Sequence, residues 1–316
     1  MRLFQKKKDS TGLLAVDLGG DGVRVVHALR PVGSMPSVDL AMFFPSSGAV
    51  TGSQLEKIGK EVKASGFRCS TLLGGGEYQI LSVDAPNVPQ EELKTAIRWR
   101  LKDMLDFHVD DATIDVLEVP GDKNAAGRGN AMFAVAARNQ VVQQRQTLFE
   151  EAKIPLGVID IPEMAQRNLS SLIQPEGRGI AMLYFDASGG LLTVTYEGEL
   201  YLSRRIEVPV SSLASDSLDQ RSAFHDRITL ELQRSLDHFD RQYHFITMSK
   251  LVLGPLPENV QGLQDYLASN LYMQVEALDL ASAVDLSRVP EVQSREGQHR
   301  FFLAIGAALR VEEKAL

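Results

Sequence analysis

The chain has 316 residues, 33 Lys and Arg against 41 Asp and Glu for a formal charge of −8, and 44% apolar residues. That length and composition fit a soluble globular protein of about two domains, or one large fold with two lobes, and exclude a disordered or collagen-like chain. Residues 1–10 hold Arg2, Lys6, Lys7 and Lys8 against Asp9, a net +3 on a body of −11, and that acidic body excludes nucleic acid as a partner.

The single cysteine, Cys69, leaves no intramolecular disulfide and fits a reducing compartment. The apolar stretch after Lys6–Lys8 is broken at Asp17 and Gly19, so no targeting segment is expected. The longest apolar run, Phe301–Leu309, is nine residues, against about 18 for a membrane helix. A cytoplasmic protein is the expectation. Residues 1–11 read as a basic flexible tail that could lean on an anionic membrane surface, at about 1 kcal/mol per Lys or Arg.

Leu13–His27 reads as two strands joined by the turn Gly19-Gly20-Asp21-Gly22, followed by a strand at Leu40–Phe44. A helix opens on the pattern Ser53-x-x-Glu56, a capping box, with Leu55, Ile58 and Val62 inward. Strands at Ser70–Leu73 and Tyr78–Val83 flank Gly74-Gly75-Gly76, read as a hairpin turn because no Gly-Lys-Ser/Thr follows.

Residues 84–158 read as a compact α+β insert. It comprises a helix from Gln90 to about Asp106, a strand at Thr113–Val119, a loop at Gly121–Asn130 expected to be disordered, a strand at Met132–Ala136 and a helix at Gln140–Ala152. At Met182–Tyr196 the first hairpin returns: an apolar strand, Asp186, a small-residue turn at Ser188-Gly189-Gly190, and a second strand. The offset is about half the chain, which predicts two lobes of related topology. A strand at Leu200–Ile206, a helix over 222–243, a strand at Lys250–Leu253, the turn Gly254-Pro255-Leu256-Pro257, a helix at Gln261–Asn270, a strand at Gln274–Ala277 and a helix at Gln298–Arg310 complete the second lobe.

Turns of small residues expose backbone N–H groups that can cradle phosphate, and an Asp at a strand end can order Mg²⁺ through water. Two such turns facing each other across a cleft would grip a nucleoside triphosphate from both sides. The same residues also serve hairpins for conformational reasons alone.

An ordered set of segments resembles a known family. They are Arg2–Lys8, the Asp17 hairpin, Glu92-Leu93-x-x-Ala96-Ile97-Arg98-Trp99, Ala136-Ala137-Arg138, Ile159-Asp160-Ile161-Pro162-Glu163, Glu231–Asp237 and Ala304-Ile305-Gly306-x-Ala308-Leu309-Arg310. Together they look like PilM, the actin-like cytoplasmic assembly protein of type IV pilus machines, with the MshI-type proteins of mannose-sensitive haemagglutinin (MSHA) pilus biogenesis as the nearest branch. The resemblance implies an actin-like ATPase fold of FtsA/PilM type: a first lobe over 12–83 and 159–177, an inserted subdomain over 84–158 and a second lobe over 178–316.

It also implies a cleft for ATP and Mg²⁺. Asp17, Gly19 and Gly20 would form the first phosphate turn, with Arg24 beside it, and Asp186, Ser188, Gly189 and Thr193 the second. Glu231, Arg234 and Ser235 would flank the adenosine, with Gly254 on its other side, and Asp17 and Asp186 would hold Mg²⁺ through water. The implied partner is the short N-terminal cytoplasmic tail of a PilN-like inner-membrane protein, captured in a groove lined by Trp99, Leu105 and Phe107. The alternative for those three residues is the core of the insert. Pilus motor ATPases are a further implied partner, and the implied place of work is the cytoplasmic face of the inner membrane.

All three nucleotide motifs depart from the family. Where its first turn runs Asp-Ile-Gly-Ser-Ser/Thr-Ser, this chain has Asp17-Leu-Gly19-Gly20-Asp21-Gly22, losing hydroxyls and gaining a carboxylate that needs Mg²⁺ or Arg24 to compensate. Ser188 stands where the family has Gly, and Pro255 and Pro257 interrupt a glycine run with residues that have no N–H. Two readings follow: a scaffold with degenerate nucleotide binding, or an active Mg-ATP-dependent ATPase or kinase, for which Asp160 and Glu207 are candidate bases. Histidines and cysteine lack the spacing of any other metal site.

Overall fold

The computed structural model describes residues 12–31, 33–122 and 131–311; the basic tail and most of the loop Gly121–Asn130 lie outside them. The chain opens with strands β1 (Leu14–Gly19), β2 (Gly22–Leu29) and β3 (Ser37–Pro45), helix α1 (Gly52–Glu61) and strands β4 (Cys69–Leu72) and β5 (Tyr78–Asp84). Then come α2 (Gln90–Leu101), β6 (Ala112–Val119), β7 (Ala131–Arg138), α3 (Asn139–Glu151), β8 (Leu156–Asp160) and α4 (Pro162–Ile173). The second half holds β9 (Gly179–Asp186), β10 (Gly189–Tyr196), β11 (Glu199–Ile206), α5 (Val210–Leu213), α6 (Leu218–Gln242), β12 (Met248–Leu253), α7 (Leu263–Asn270), β13 (Val275–Ala277) and α8 (Arg295–Ala308).

The expected repeat is present. Two five-stranded sheets have the orders β3-β2-β1-β4-β8 and β11-β10-β9-β12-β13. In each, an antiparallel three-strand meander is continued by two parallel strands, β4 and β8 or β12 and β13. A glycine with positive φ follows each turn, Gly22 at 151° and Gly189 at 130°. A Cβ there would fall 2.3 Å from the Phe44 carbonyl oxygen in one sheet and 2.5 Å from that of Ile206 in the other. Both glycines let the third strand close onto the turn.

Helices α4 and α8 cross between the sheets. A Cβ on Gly306 would lie 2.2 Å from the Ala165 carbonyl oxygen, so only glycine permits the approach. Asn168 Nδ2 donates to the Gly306 carbonyl at 2.9 Å, satisfying a polar group that the crossing buries.

Two expectations are corrected. The capping box is Thr51 and Gln54: Thr51 Oγ1 accepts from Gln54 N at 3.3 Å, and Gln54 Oε1 accepts from Thr51 N at 2.9 Å. The overlapping Ser53-x-x-Glu56 lies inside the helix, where Glu56 pairs with Lys60 and Lys153. The run Gly74–Gly76 is no hairpin turn, because β4 belongs to the first sheet while β5 pairs with β7 in a separate three-stranded sheet ordered β5-β7-β6. It carries the chain from the first lobe into the insert.

The small sheet buries both faces. On one, Val83, Val116, Met132 and Ala134 pack with Leu93, Ile97 and Leu101 of α2. On the other, Val119, Phe133 and Ala137 join the core of the second lobe with Phe185, Leu202 and Ile206. The following helix α3 returns to the first lobe, where Phe149 packs with Leu55 and Ile58 of α1. The insert therefore touches both lobes.

Candidate functional site

Asp17 ends the inner part of β1 and pairs in register with Arg24 on β2. Arg24 Nη1 lies 3.8 Å from Asp17 Oδ2, while Nη2 donates to both oxygens of Asp21 at 2.7 and 2.8 Å. The guanidinium packs 5.3 Å from the Phe43 ring centroid, with Arg300 at 4.8 Å from the same centroid. A Cβ on Gly19 would fall 2.2 Å from Arg24 Nη1, so the guanidinium lies directly against the turn. The carboxylate that this turn gains, Asp21, is thus neutralised from within. Burial raises the Asp17 carboxyl above its ordinary value; Arg24 and Arg145 oppose that shift, and Asp21 and Asp186 add to it.

The second turn is held differently. Asp186 Oδ1 accepts from the backbone N–H of Ser188 at 2.7 Å and of Gly189 at 3.1 Å. Those are the amides that the family resemblance assigns to a phosphate. Thr193 lies deep in the core, where its hydroxyl accepts from Gln166 Nε2 at 2.8 Å.

The two turns lie near each other, Asp186 being among the charges that act on Asp17, and the Gly74–Gly76 run lies against the second. A Cβ on Gly75 would lie 3.0 Å from the Ser188 Cβ and Oγ. This crossover is tied down by Glu77, which accepts from Gly74 N at 2.6 Å and from Arg145 Nη2 at 2.7 Å. Arg145 also donates to the Leu72 carbonyl at 3.1 Å. Behind the second turn, the Tyr184 hydroxyl donates to the His299 carbonyl at 2.9 Å, and His299 Nδ1 lies 3.0 Å from the Pro255 carbonyl. Burial pushes the His299 imidazole below its ordinary range, which favours the neutral ring.

Of the expected nucleotide residues, Asp17, Gly19, Gly20, Arg24, Asp186, Ser188 and Gly189 therefore gather at one place. Glu231 and Arg234 stand on the exposed side of α6, paired with each other at 3.5 Å, and Ser235 is buried. Gly254 borders a cleft of about 530 Å³ lined by Leu256, Gln261, Gln264, Asp279 and Arg295, and none of Glu231, Arg234 or Ser235 lines it. The candidate bases are engaged elsewhere. Asp160 accepts from Arg310 at 2.6 Å and from Ile161 N at 2.8 Å, while the exposed Glu207 pairs with Arg227 at 3.3 Å.

Arg24 is paired with Asp21, and the Ser188 and Gly189 amides are capped by Asp186, so a triphosphate here would have to displace both carboxylates. Among the described residues no group of three or more His, Cys, Asp and Glu could hold a metal ion.

Two surfaces on or near the insert are candidates for a partner. Trp99 is 71% exposed on α2, with the exposed Met104 following, so it is not insert core. Phe107 lies under the Arg138 guanidinium at 4.4 Å, and Leu105 packs against the α2 cluster. The second surface is a groove of about 740 Å³ between α3 and β8, from Gln143 and Gln146 across to Leu156 and Val158. β8 is an edge strand, with β4 as its neighbour.

A cluster missed in the sequence joins Tyr78, Glu163 and Arg205. The Tyr78 hydroxyl donates to Glu163 Oε2 at 2.5 Å, and Arg205 Nη2 reaches the Tyr78 oxygen at 2.7 Å and Glu163 Oε1 at 3.2 Å. Glu163 lies within the family-like segment Ile159–Glu163, which assigned it no role. Its partners lie 85 and 42 residues away, beyond any local pattern.

No protein-family model matches the chain, and no curated protein matches it in sequence. Two sheets of one topology, meeting at crossed helices with facing hairpin turns, define the class: this is an actin-like ATPase fold. It is similar to a protein of unknown function with that fold from Bacteroides thetaiotaomicron, with a TM-score of 0.50 and 10% identity over 90% of this chain and 96% of the other. It is also similar to a chain of a PilM–PilN type IV pilus biogenesis complex, with a TM-score of 0.69 and 19% identity over 94% of this chain and 97% of that one. The architecture is PilM-like.

Proposed function

We propose that this chain is a PilM-like scaffold of type IV pilus biogenesis, of the MshI branch, that captures the cytoplasmic tail of a PilN-like inner-membrane protein. The observation that carries this reading is the likeness to a chain of the PilM–PilN complex across nearly the full length of both. The chain works in the cytoplasm, peripheral to the inner membrane, with its basic head against lipid and its partner linking it to the pilus motors. Among the described residues, no helix is long and apolar enough to cross a membrane.

Nucleotide binding is weakened, in keeping with the engaged turns, and the ATPase or kinase reading lacks a free phosphate cradle and a positioned base. Trp99 supplies an exposed apolar anchor of the kind that dominates interfaces, while Leu105 packs toward the α2 cluster and Phe107 under Arg138. The groove at the edge of β8 could take an extended segment by strand addition.

Trp99 is the only tryptophan, so its emission reports the test directly. A short N-terminal peptide of the PilN-like protein, titrated onto the full chain, is expected to shift that emission saturably. Trp99→Ala, followed by calorimetry, should weaken binding about tenfold or more. A wild-type titration with no heat and no emission change would sink the adaptor reading.

A further inference from the structure

We propose that the crossover segment 74–78 and a buried clasp of Tyr78, Glu163 and Arg205 hold the two lobes closed over the facing turns without a nucleotide. The inference rests on contacts within the chain and not on the pilus reading, so either can fail alone.

The clasp joins three elements that the chain order keeps apart. Tyr78 opens β5 in the insert, Glu163 stands in the first turn of α4, and Arg205 lies on β11 at the edge of the second sheet. The Glu163 side chain is fully buried, yet its oxygens are satisfied from both sides. Oε2 takes the Tyr78 hydroxyl; Oε1 takes Arg205 Nη2 and, at 3.4 Å, the Ser203 hydroxyl. Arg205 and Ser203 both come from β11, which packs on α4, so movement of the insert would strip the buried Glu163 carboxylate of the Tyr78 hydroxyl and leave Oε2 without its partner. Its place in the first turn of α4 adds the favourable end of the helix dipole.

Next to the clasp, segment 74–78 reaches the second turn at Gly75 and is anchored on its far side by Glu77 and Arg145. The α4–α8 crossing at Gly306 and Ala165, and the apolar packing of Val119, Phe133 and Ala137 on Phe185, Leu202 and Ile206, already join the lobes and the insert. The clasp adds a directional polar tie from β5 to α4 and β11, and hydrogen bonds fix an orientation that apolar packing leaves free to slide. At the turns, Arg24 pairs with Asp21 and Asp186 caps the Ser188 and Gly189 amides, contacts that the chain makes without a ligand.

Amide hydrogen exchange on the full chain tests this, with wild type, Tyr78→Phe and Arg205→Ala compared with and without millimolar Mg·ATP. Tyr78→Phe is the milder change, since it keeps the ring and removes one hydroxyl, while Arg205→Ala removes the cation that faces the buried Glu163. Wild-type exchange should be unchanged by nucleotide. Both variants should exchange about tenfold faster over 74–84 and 199–206, while α2 amides, packed on the opposite face of the insert, keep the wild-type rate. Arg205→Lys should recover part of the protection. Wild-type rates over both segments in both variants would overturn the proposal, as would a wild type whose 74–84 segment is slowed several-fold by Mg·ATP. Faster exchange spread evenly over the chain would also overturn it, since that is general destabilisation.

Discussion

The two hairpin turns occupy the same place in two sheets of the same topology, and they hold their polar groups by opposite means. In the first, an arginine from the neighbouring strand neutralises Asp21 and approaches Asp17. In the second, Asp186 folds back on the backbone N–H groups of its own turn. What they share is steric: a glycine with positive φ, and a third strand whose carbonyl oxygen lies against it. The geometry of the repeat is set by where Cβ atoms cannot go. The chemistry at its tips is free to diverge.

The largest effect should test the shared part. Gly22→Ala and Gly189→Ala each force a Cβ against a carbonyl oxygen in a left-handed backbone, and each should cost about 3 kcal/mol in urea unfolding. Losses that differ several-fold would break the equivalence of the two hairpins. A smaller, unequal pair should follow at the tips. Arg24→Ala leaves two carboxylates without their cation and should cost about 2 kcal/mol. Asp186→Ala frees amides that water can reach at an exposed turn and should cost about 1 kcal/mol. The reverse order would mean that the backbone capping, and not the arginine, is the stronger device.

The smallest effect sharpens the electrostatics. Burial raises the Asp17 carboxyl in the folded chain above its ordinary value of 3.8, so the folded state holds that proton more tightly than the unfolded one. Wild-type stability relative to Asp17→Asn should therefore fall as pH rises from near the ordinary value through the raised one, and then level off. Denaturant midpoints measured across that range check it, and a gap that instead closes with rising pH would place Asp17 as a stabilised anion.

Much of the architecture was legible because it is local. The hairpins at Asp17 and Asp186, their half-chain offset and the inner face Leu55, Ile58 and Val62 all follow from periodicity and turn chemistry. Local reasoning failed where two patterns overlapped: Thr51-x-x-Gln54 and Ser53-x-x-Glu56 both satisfy the capping rule, and only the chain path into α1 decides between them. It failed again at Gly74–Gly76, where a glycine run between two strands looks like a hairpin unless the long-range partner of the second strand is known.

The candidate site divides the same way. Asp17, Gly19, Gly20, Asp186, Ser188 and Gly189 could be located because a turn announces itself in three or four residues. Whether its amides are free or already bonded depends on a side-chain rotamer, which no spacing reveals. Thr193, four residues beyond Gly189 on β10, is drawn inward to Gln166, a partner that only packing supplies. By itself the sequence determined a two-lobed, repeated α/β chain with an insert and two Asp-Gly turns, since backbone preference and hydrophobic period act between near neighbours. Only the tertiary structure decided that the insert binds both lobes, that Arg24 and Asp186 close the turns, and that Tyr78, Glu163 and Arg205 meet. Those outcomes rest on contacts between groups tens of residues apart, where burial and charge compensation choose the partner.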